Sequence, residues 1–269
     1  MRNPLTVLIL LIFAGAVVNH FVYKHEEKID RLETLKKAYS GYVEGESAES
    51  LDEREKAFNQ SLKNYIDLER DDQPEYGNGK LYFDIGNAYF QLGNYPFAVL
   101  YYYKALKLMP REDIVGRNLS TALNKLGIGE KKKETVFQNL FFFHFYLSVP
   151  ERLQLFTLFA FAAFFLFSVF IWLRKELFKT VGKIAAFAAF LFFASFLYSH
   201  YLSPIEAVIV KSSDLYRDSG FQYAKVQEEP ILSGNKVEVL DVIDQGAWLK
   251  IRLQGGELGY VPQEAVRII

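Results

Sequence analysis

The side chains best suited to hold a metal or move a proton near neutral pH are four histidines, His20, His25, His144 and His200. They are scattered, and each lies close to an apolar run. His144 has no second His, Asp or Glu beside it at ligand spacing, so it reads as an interfacial side chain rather than a ligand. Cysteine is absent, which removes disulfides, thiolate metal sites and cysteine nucleophiles without fixing the redox compartment. Aspartate and glutamate are plentiful, but they lie in charged helical stretches where a solvated face is the ordinary arrangement. No glycine-rich phosphate loop, HExxH, nucleophile elbow or paired CxxC occurs. The residues therefore nominate no catalytic group, cofactor or metal, and the expected class is a non-enzymatic binding protein. A net charge of −1 gives no basic surface for nucleic acid.

Positioning must come from elements of two unlike kinds. Hydrophobic residues make up 51% of the 269 positions, 25 of them Phe, yet they are concentrated in nearly charge-free runs. Residues 153–173 and 184–202 are each long enough, at ~1.5 Å per residue, to cross a hydrocarbon core of ~30 Å. Trp172, Tyr198 and Tyr201 sit near their ends, where amphipathic rings favour the interface, and Pro204 stops the second run. The connection 174–183 carries Arg174, Lys175, Lys179 and Lys183 against Glu176, which reads as a short cytoplasmic loop. The cluster Lys131–Lys133 argues weakly for the opposite side. Residues 1–23 begin with Met1-Arg2, continue through the apolar Leu5–Phe13 and reach Ala14-Gly15-Ala16. They read as a cleaved signal peptide or as an uncleaved anchor ending near Tyr23. Either form sends residue 24 onward across the membrane, in agreement with the basic loop. Neither of the two main apolar runs contains a charge, which argues against transport. Residues 136–152 form an aromatic interfacial lead-in.

Residues 24–135 are expected to be helical. Leu51–Glu69 places Leu51, Phe58, Leu62, Tyr65, Ile66 and Leu68 on one face. Gly79–Pro110 resembles a tetratricopeptide repeat, a helix–turn–helix unit of 34 residues. Tyr82, Gly86, Tyr89, Ala98, Tyr102, Ala105 and Pro110 occupy the defining positions, and Ile85 and the Gly93-Asn94-Tyr95 turn complete the match. A single repeat needs neighbours; Asp113–Gly127 is the candidate on one side and residues 51–69 on the other. The resemblance implies a protein-binding groove with Phe83, Asn87, Phe90 and Gln91 facing it. The alternative is that the two phenylalanines only pack and that Asn87 is only solvated.

After Pro204 the pattern changes to period two. Ala207–Val210, Lys236–Ile243, Ala247–Leu253 and Gly259–Pro262 read as short strands. The order of features, including Gly246-Ala247-Trp248-Leu249-Lys250-Ile251 and Gly259-Tyr260-Val261-Pro262, resembles a bacterial SH3-like barrel over residues 205–269. That resemblance implies a cleft for peptide or cell-wall fragments, to which Tyr216, Tyr223, Trp248 and Tyr260 would contribute. The alternative is that Trp248 and Tyr260 pack the barrel.

The whole is expected to be a multi-domain membrane protein: an α-helical tetratricopeptide unit, a two-helix transmembrane hairpin and a C-terminal all-β barrel. This order, together with Leu81–Pro110 and Leu147-Ser148-Val149-Pro150-Glu151-Arg152-Leu153, resembles the BatE-like proteins of bacterial aerotolerance (Bat) operons. The resemblance implies a scaffold in the bacterial inner membrane, with both soluble domains outside the cytoplasm. Its implied partners are von Willebrand A-domain Bat proteins and a MoxR-type ATPase, with peptidoglycan as a further ligand. An envelope sensor and an accessory subunit of a cell-wall synthesis enzyme are the alternative functions.

Overall fold

A computed structural model describes residues 29–71, 78–129 and 141–269. The expected signal peptide or anchor at 1–23, the Lys131–Lys133 cluster and the first part of the lead-in fall outside the described residues. The described residues divide between two compact units, separated after Gln73.

The first unit is a pair of helices, α1 over residues 29–47 and α2 over Leu51–Asp71. Asp52 and Glu53 in the first turn of α2 and Arg70 in its last complement the helix dipole. Phe58, Tyr65 and Leu68 are buried, and Ser61 donates to the Ala38 carbonyl at 2.7 Å. A Cβ on Gly45 would fall 2.9 Å from the Phe58 ring, so this crossing depends on the missing side chain. Leu51, expected on the buried face, is 83% exposed. As the first helical residue it has no preceding turn to lie over.

The second unit opens with three helices, α3 (Gly79–Gln91), α4 (Tyr95–Leu108) and α5 (Asp113–Lys125). Asn78 caps α3 by accepting from the amides of Lys80 and Leu81. Gly93, at φ 73°, makes the reversal that a side chain would strain. A short helix α6 (Phe142–Tyr146) follows, and then the two long apolar helices, α7 (Val149–Leu173) and α8 (Glu176–Leu197).

Both long helices start before the charge-free runs. α7 gains its first turn from a capping box, in which the Ser148 hydroxyl accepts from the Glu151 amide and the Glu151 carboxylate accepts from the Ser148 amide. Arg152, expected to precede the helix, is therefore inside it. At the other end only Arg174, at φ 53°, and Lys175 remain outside helix. The expected ten-residue loop is mostly helical, because Leu177, Phe178 and Val181 continue an apolar face and Lys179 pairs with Glu176 at 3.2 Å. The helix pair packs through small residues, with Ala163, Gly182, Ala185 and Ala189 buried. Phe159 stacks on Phe192 at 5.8 Å. Most large side chains point outward: Phe161, Phe164, Phe187 and Phe190 are each more than 60% exposed. Both helices are long and apolar enough to cross a membrane. Core helices of a water-soluble protein would hide these rings.

A π-helical turn, Tyr198–Leu202, ends α8 and leads to the sheet. Five antiparallel strands run in the order β4-β3-β2-β1-β5: β1 Ile205–Ile209, β2 Lys236–Ile243, β3 Trp248–Arg252, β4 Leu258–Pro262 and β5 Val266–Ile268. The fifth strand was not expected; three residues are too few to show an alternation. Ile209, Leu215, Val237, Leu249, Ile251 and Val261 form the centre of its core. The sheet also touches the helical part. Lys107 Nζ donates to the Ile269 carbonyl at 3.1 Å, and Lys236 lies 4.9 Å from the Tyr103 ring centre. Gly234, at φ 95°, packs against Leu126, where a Cβ would collide with the leucine side chain.

Candidate functional site

Three groups of polar or aromatic side chains stand out. The first is in the helices. Close approach of α3 to α4 is set by Gly86, where a Cβ would come within 2.7 Å of the Tyr102 ring. With the helices that near, the Tyr102 hydroxyl donates to Asn87 Oδ1 at 2.9 Å, and Asn118 Nδ2 of α5 donates to the same oxygen at 2.9 Å. Asn87 thus joins all three helices through its carbonyl oxygen. Among the described residues, its Nδ2 has no partner. Phe83 lies against Tyr102 with ring centres 6.0 Å apart, and Phe90 meets Tyr95 edge-on at 5.3 Å. Phe83, Asn87, Phe90 and Gln91 are all half-buried. Behind them Tyr89 stacks on Phe97 and Tyr101 at 5.1 and 5.5 Å. Asp84, on the same helix, has its carboxyl pushed up to about 6 by burial, with Lys80 acting in the opposite direction.

This packing has a known counterpart. Residues 79–112 match the tetratricopeptide repeat. The repeat-defining positions Tyr82, Gly86, Tyr89, Ala98, Tyr102, Ala105 and Pro110 all lie within the matched stretch; Gly86 sits where α3 meets the Tyr102 ring of α4, and Ala98 and Ala105 are buried. No curated protein matches the chain. Tetratricopeptide repeats serve protein–protein interaction, which is what the repeat suggests for this chain.

The second group lies on the sheet. In β3, Leu249 and Ile251 face the core, so Trp248 and Lys250 face outward by the period of two. Tyr260 is directly opposite Lys250 on β4, with the Lys250 ammonium 5.7 Å from its ring centre. Tyr216 exchanges both backbone hydrogen bonds with Tyr260, at 2.9 and 2.8 Å, and its ring meets Trp248 edge-on at 5.7 Å. Tyr216 thus joins Trp248 through its ring and Tyr260 through its backbone. Tyr223 makes no ring contact with them among the described residues. The sequence reading missed Phe221, which is 69% exposed and lies 4.9 Å from Trp248 and 5.8 Å from Tyr216. Phe221 and Tyr216 both pack against the indole, and the outward-facing Trp248 is only 8% exposed. The available signal was an aromatic residue in the polar turn Ser219-Gly220-Phe221-Gln222.

The third group is at the mouth of the helix pair. Arg152, 4% exposed, sends Nη1 to His144 Nδ1 (2.8 Å), Ser195 Oγ (2.7 Å), the Ser195 carbonyl (3.2 Å) and Ser199 Oγ (2.9 Å). The first turn of α7 is thus joined to α6, to α8 and to the π turn. Ser195 and Ser199 lie four residues apart, which puts both hydroxyls on one helical face. Among the described residues Arg152 has no carboxylate partner. Its neighbour Glu151 is engaged by Ser148 and by Arg111, which follows α4. No group of three or more His, Cys, Asp or Glu is placed to hold a metal among the described residues.

Proposed function

We propose that this chain is a non-enzymatic scaffold of the bacterial inner membrane, anchored by the α7–α8 hairpin. Its tetratricopeptide repeat holds a protein partner, and its C-terminal sheet, read as an SH3-like barrel, holds a peptide or cell-wall ligand. The observation that carries the reading is the repeat at 79–112 in one compact unit with two outward-facing apolar helices. Exposed phenylalanine over two adjacent helices is costly in water and favourable in lipid, at roughly 25 cal/mol per Å² of apolar surface. Arg174, Lys175, Lys179 and Lys183 at the α7–α8 turn support a cytoplasmic turn, with both soluble modules on the other side.

Asn87 is the favoured contact residue in the repeat. Its Oδ1 is occupied by Tyr102 and Asn118, so its amide N–H groups remain for a ligand carbonyl, flanked by the apolar rings of Phe83 and Phe90. On the sheet, Tyr216, Trp248 and Tyr260 offer ring faces and edges suited to a peptide or sugar. The partners consistent with the BatE-like order of modules are von Willebrand A-domain Bat proteins.

The test is co-purification of the full chain with such a protein from detergent-solubilised membranes, beside the Phe83→Ala/Phe90→Ala variant. Retention by the parent chain and loss with the variant are expected. Equal retention by both would exclude the groove. A periplasm-active reporter at the C-terminus checks the topology; a signal only from a cytoplasm-active reporter would overturn it.

A further inference from the structure

The mouth of the helix pair holds a charged cluster that the scaffold reading does not use. Among the described residues, buried Arg152 has no carboxylate partner and its Nε no hydrogen-bond partner, while its Nη1 lies within hydrogen-bond reach of His144, Ser195 and Ser199. Nη1 has two N–H groups for these acceptors; the arrangement in which one goes to His144 Nδ1 needs a lone pair there, and thus a neutral ring with its proton on Nε2. Ser195 Oγ also lies 2.9 Å from Nδ1. The geometry points to an acid-released clasp: protonating His144 sets a second cation against Arg152 and removes the acceptor that ties α6 to the helix pair.

The groups facing His144 make this response one-sided. Arg152 comes from α7, and Ser195 and Ser199 come from α8 and the π turn. Tyr198 presents its ring edge-to-face at 5.2 Å. Glu151 is turned to Ser148 and Arg111, and His200 stacks on Phe196. No carboxylate among the described residues is placed to welcome an imidazolium. Burial, and secondarily the Arg152 charge, lower the His144 pKa to about 4. A released ring returns toward ~6.5. The closed clasp thus binds fewer protons than the open one between those values. As pH falls through that window, the open form gains about tenfold per unit, on the order of 300-fold in all, with no further gain below pH ~4. Opening therefore loosens α6 from the hairpin mouth, while the Arg111–Glu151 pair still joins the end of the repeat to α7.

The test is a distance measurement across the clasp. The chain has no cysteine, so a Phe142→Cys/Phe190→Cys pair at exposed positions on α6 and α8 can carry two spin labels without background. Full-length protein in lipid nanodiscs is read by double electron–electron resonance from pH 7 to pH 3.5. The expected result is one narrow distance at neutral pH that lengthens and broadens on acidification. That transition is expected to vanish in His144→Asn, which keeps an acceptor near the Nδ1 position but does not titrate, and in Arg152→Met. An unchanged distance throughout, or the same acid transition in both variants, would overturn the proposal. Acid unfolding by ordinary carboxylates would appear as the second of these results.

Discussion

Replacing Gly86 by alanine tests whether the repeat depends on contact between α3 and α4. Two effects oppose each other. Alanine is the better helix former, by roughly 1 kcal/mol at an interior position. Against this, its Cβ would lie 2.7 Å from both Cδ1 and Cε1 of Tyr102. That ring cannot easily yield. It is 1% exposed, packs on Phe83 and is pinned through its hydroxyl to Asn87. Overpacking of this kind costs about 1–3 kcal/mol, and somewhat more once the Asn87 bond is stretched. The net expectation is a destabilisation of about 1–3 kcal/mol. Hydrogen exchange of the full chain in micelles reads this locally, as about 5- to 150-fold faster exchange of α3 and α4 amides at 1.4 kcal/mol per decade. Peptides of α7 and α8 should be unchanged. Adding Tyr102→Leu removes the ring, and alanine at 86 should then cost nothing further. Unchanged or slower exchange in Gly86→Ala alone would refute the close-packing argument.

Asp84→Asn should stabilise the repeat above pH 6. Asp84 has a raised carboxyl pKa of about 6, so its native state is fully favoured below the unfolded value near 4 and penalised as pH rises through 6. The gain, about 1–2 kcal/mol after allowing for solvent screening, should fade toward pH 4 in the same exchange experiment. Phe221→Ala should uncover Trp248; in a Trp172→Phe background, which leaves that indole as the single tryptophan, emission should shift to the red and acrylamide quenching should rise. A spectrum identical to the parent would contradict the covering role of Phe221. Ser148→Ala removes the capping box of α7 and should cost about 0.5–2 kcal/mol, read as faster exchange confined to the first turn of that helix.

The parts most legible in the sequence were those with a strong period or a strict residue requirement. Gly86, Ala98 and Tyr102 announce the repeat because close helix packing admits few alternatives at those positions, and the apolar runs announce the long helices. The ends of those helices were less legible. Charge-free length marks what can lie in lipid, whereas the helix itself runs as far as caps and local pairs carry it, from Ser148 and from Lys175. Strand β5 was hidden by its length. The aromatic group on the sheet was partly legible, since alternation places Trp248 and Tyr260 on one face; the arrival of Phe221 from an irregular loop leaves no period to read. The Arg152 cluster was the hardest to foresee. His144 and Ser195 are 51 residues apart, and His144 met no partner at local spacing because its partners come from two other elements.

The contacts of Lys107 with Ile269, of Lys236 with Tyr103 and of Gly234 with Leu126 give the sheet a fixed seat beside the repeat. A tether between two binding modules ordinarily sets only an average separation, and the second binding event then gains an effective concentration that falls with linker length. Here the span is set by packed surfaces. On the proposed reading, in which both modules bind, ligands carried by one partner at the matching separation would be held with millimolar or higher effective concentration, while a partner with any other spacing would engage one module at a time. Selectivity for a composite partner would then reside in the distance between the two sites as well as in either site itself.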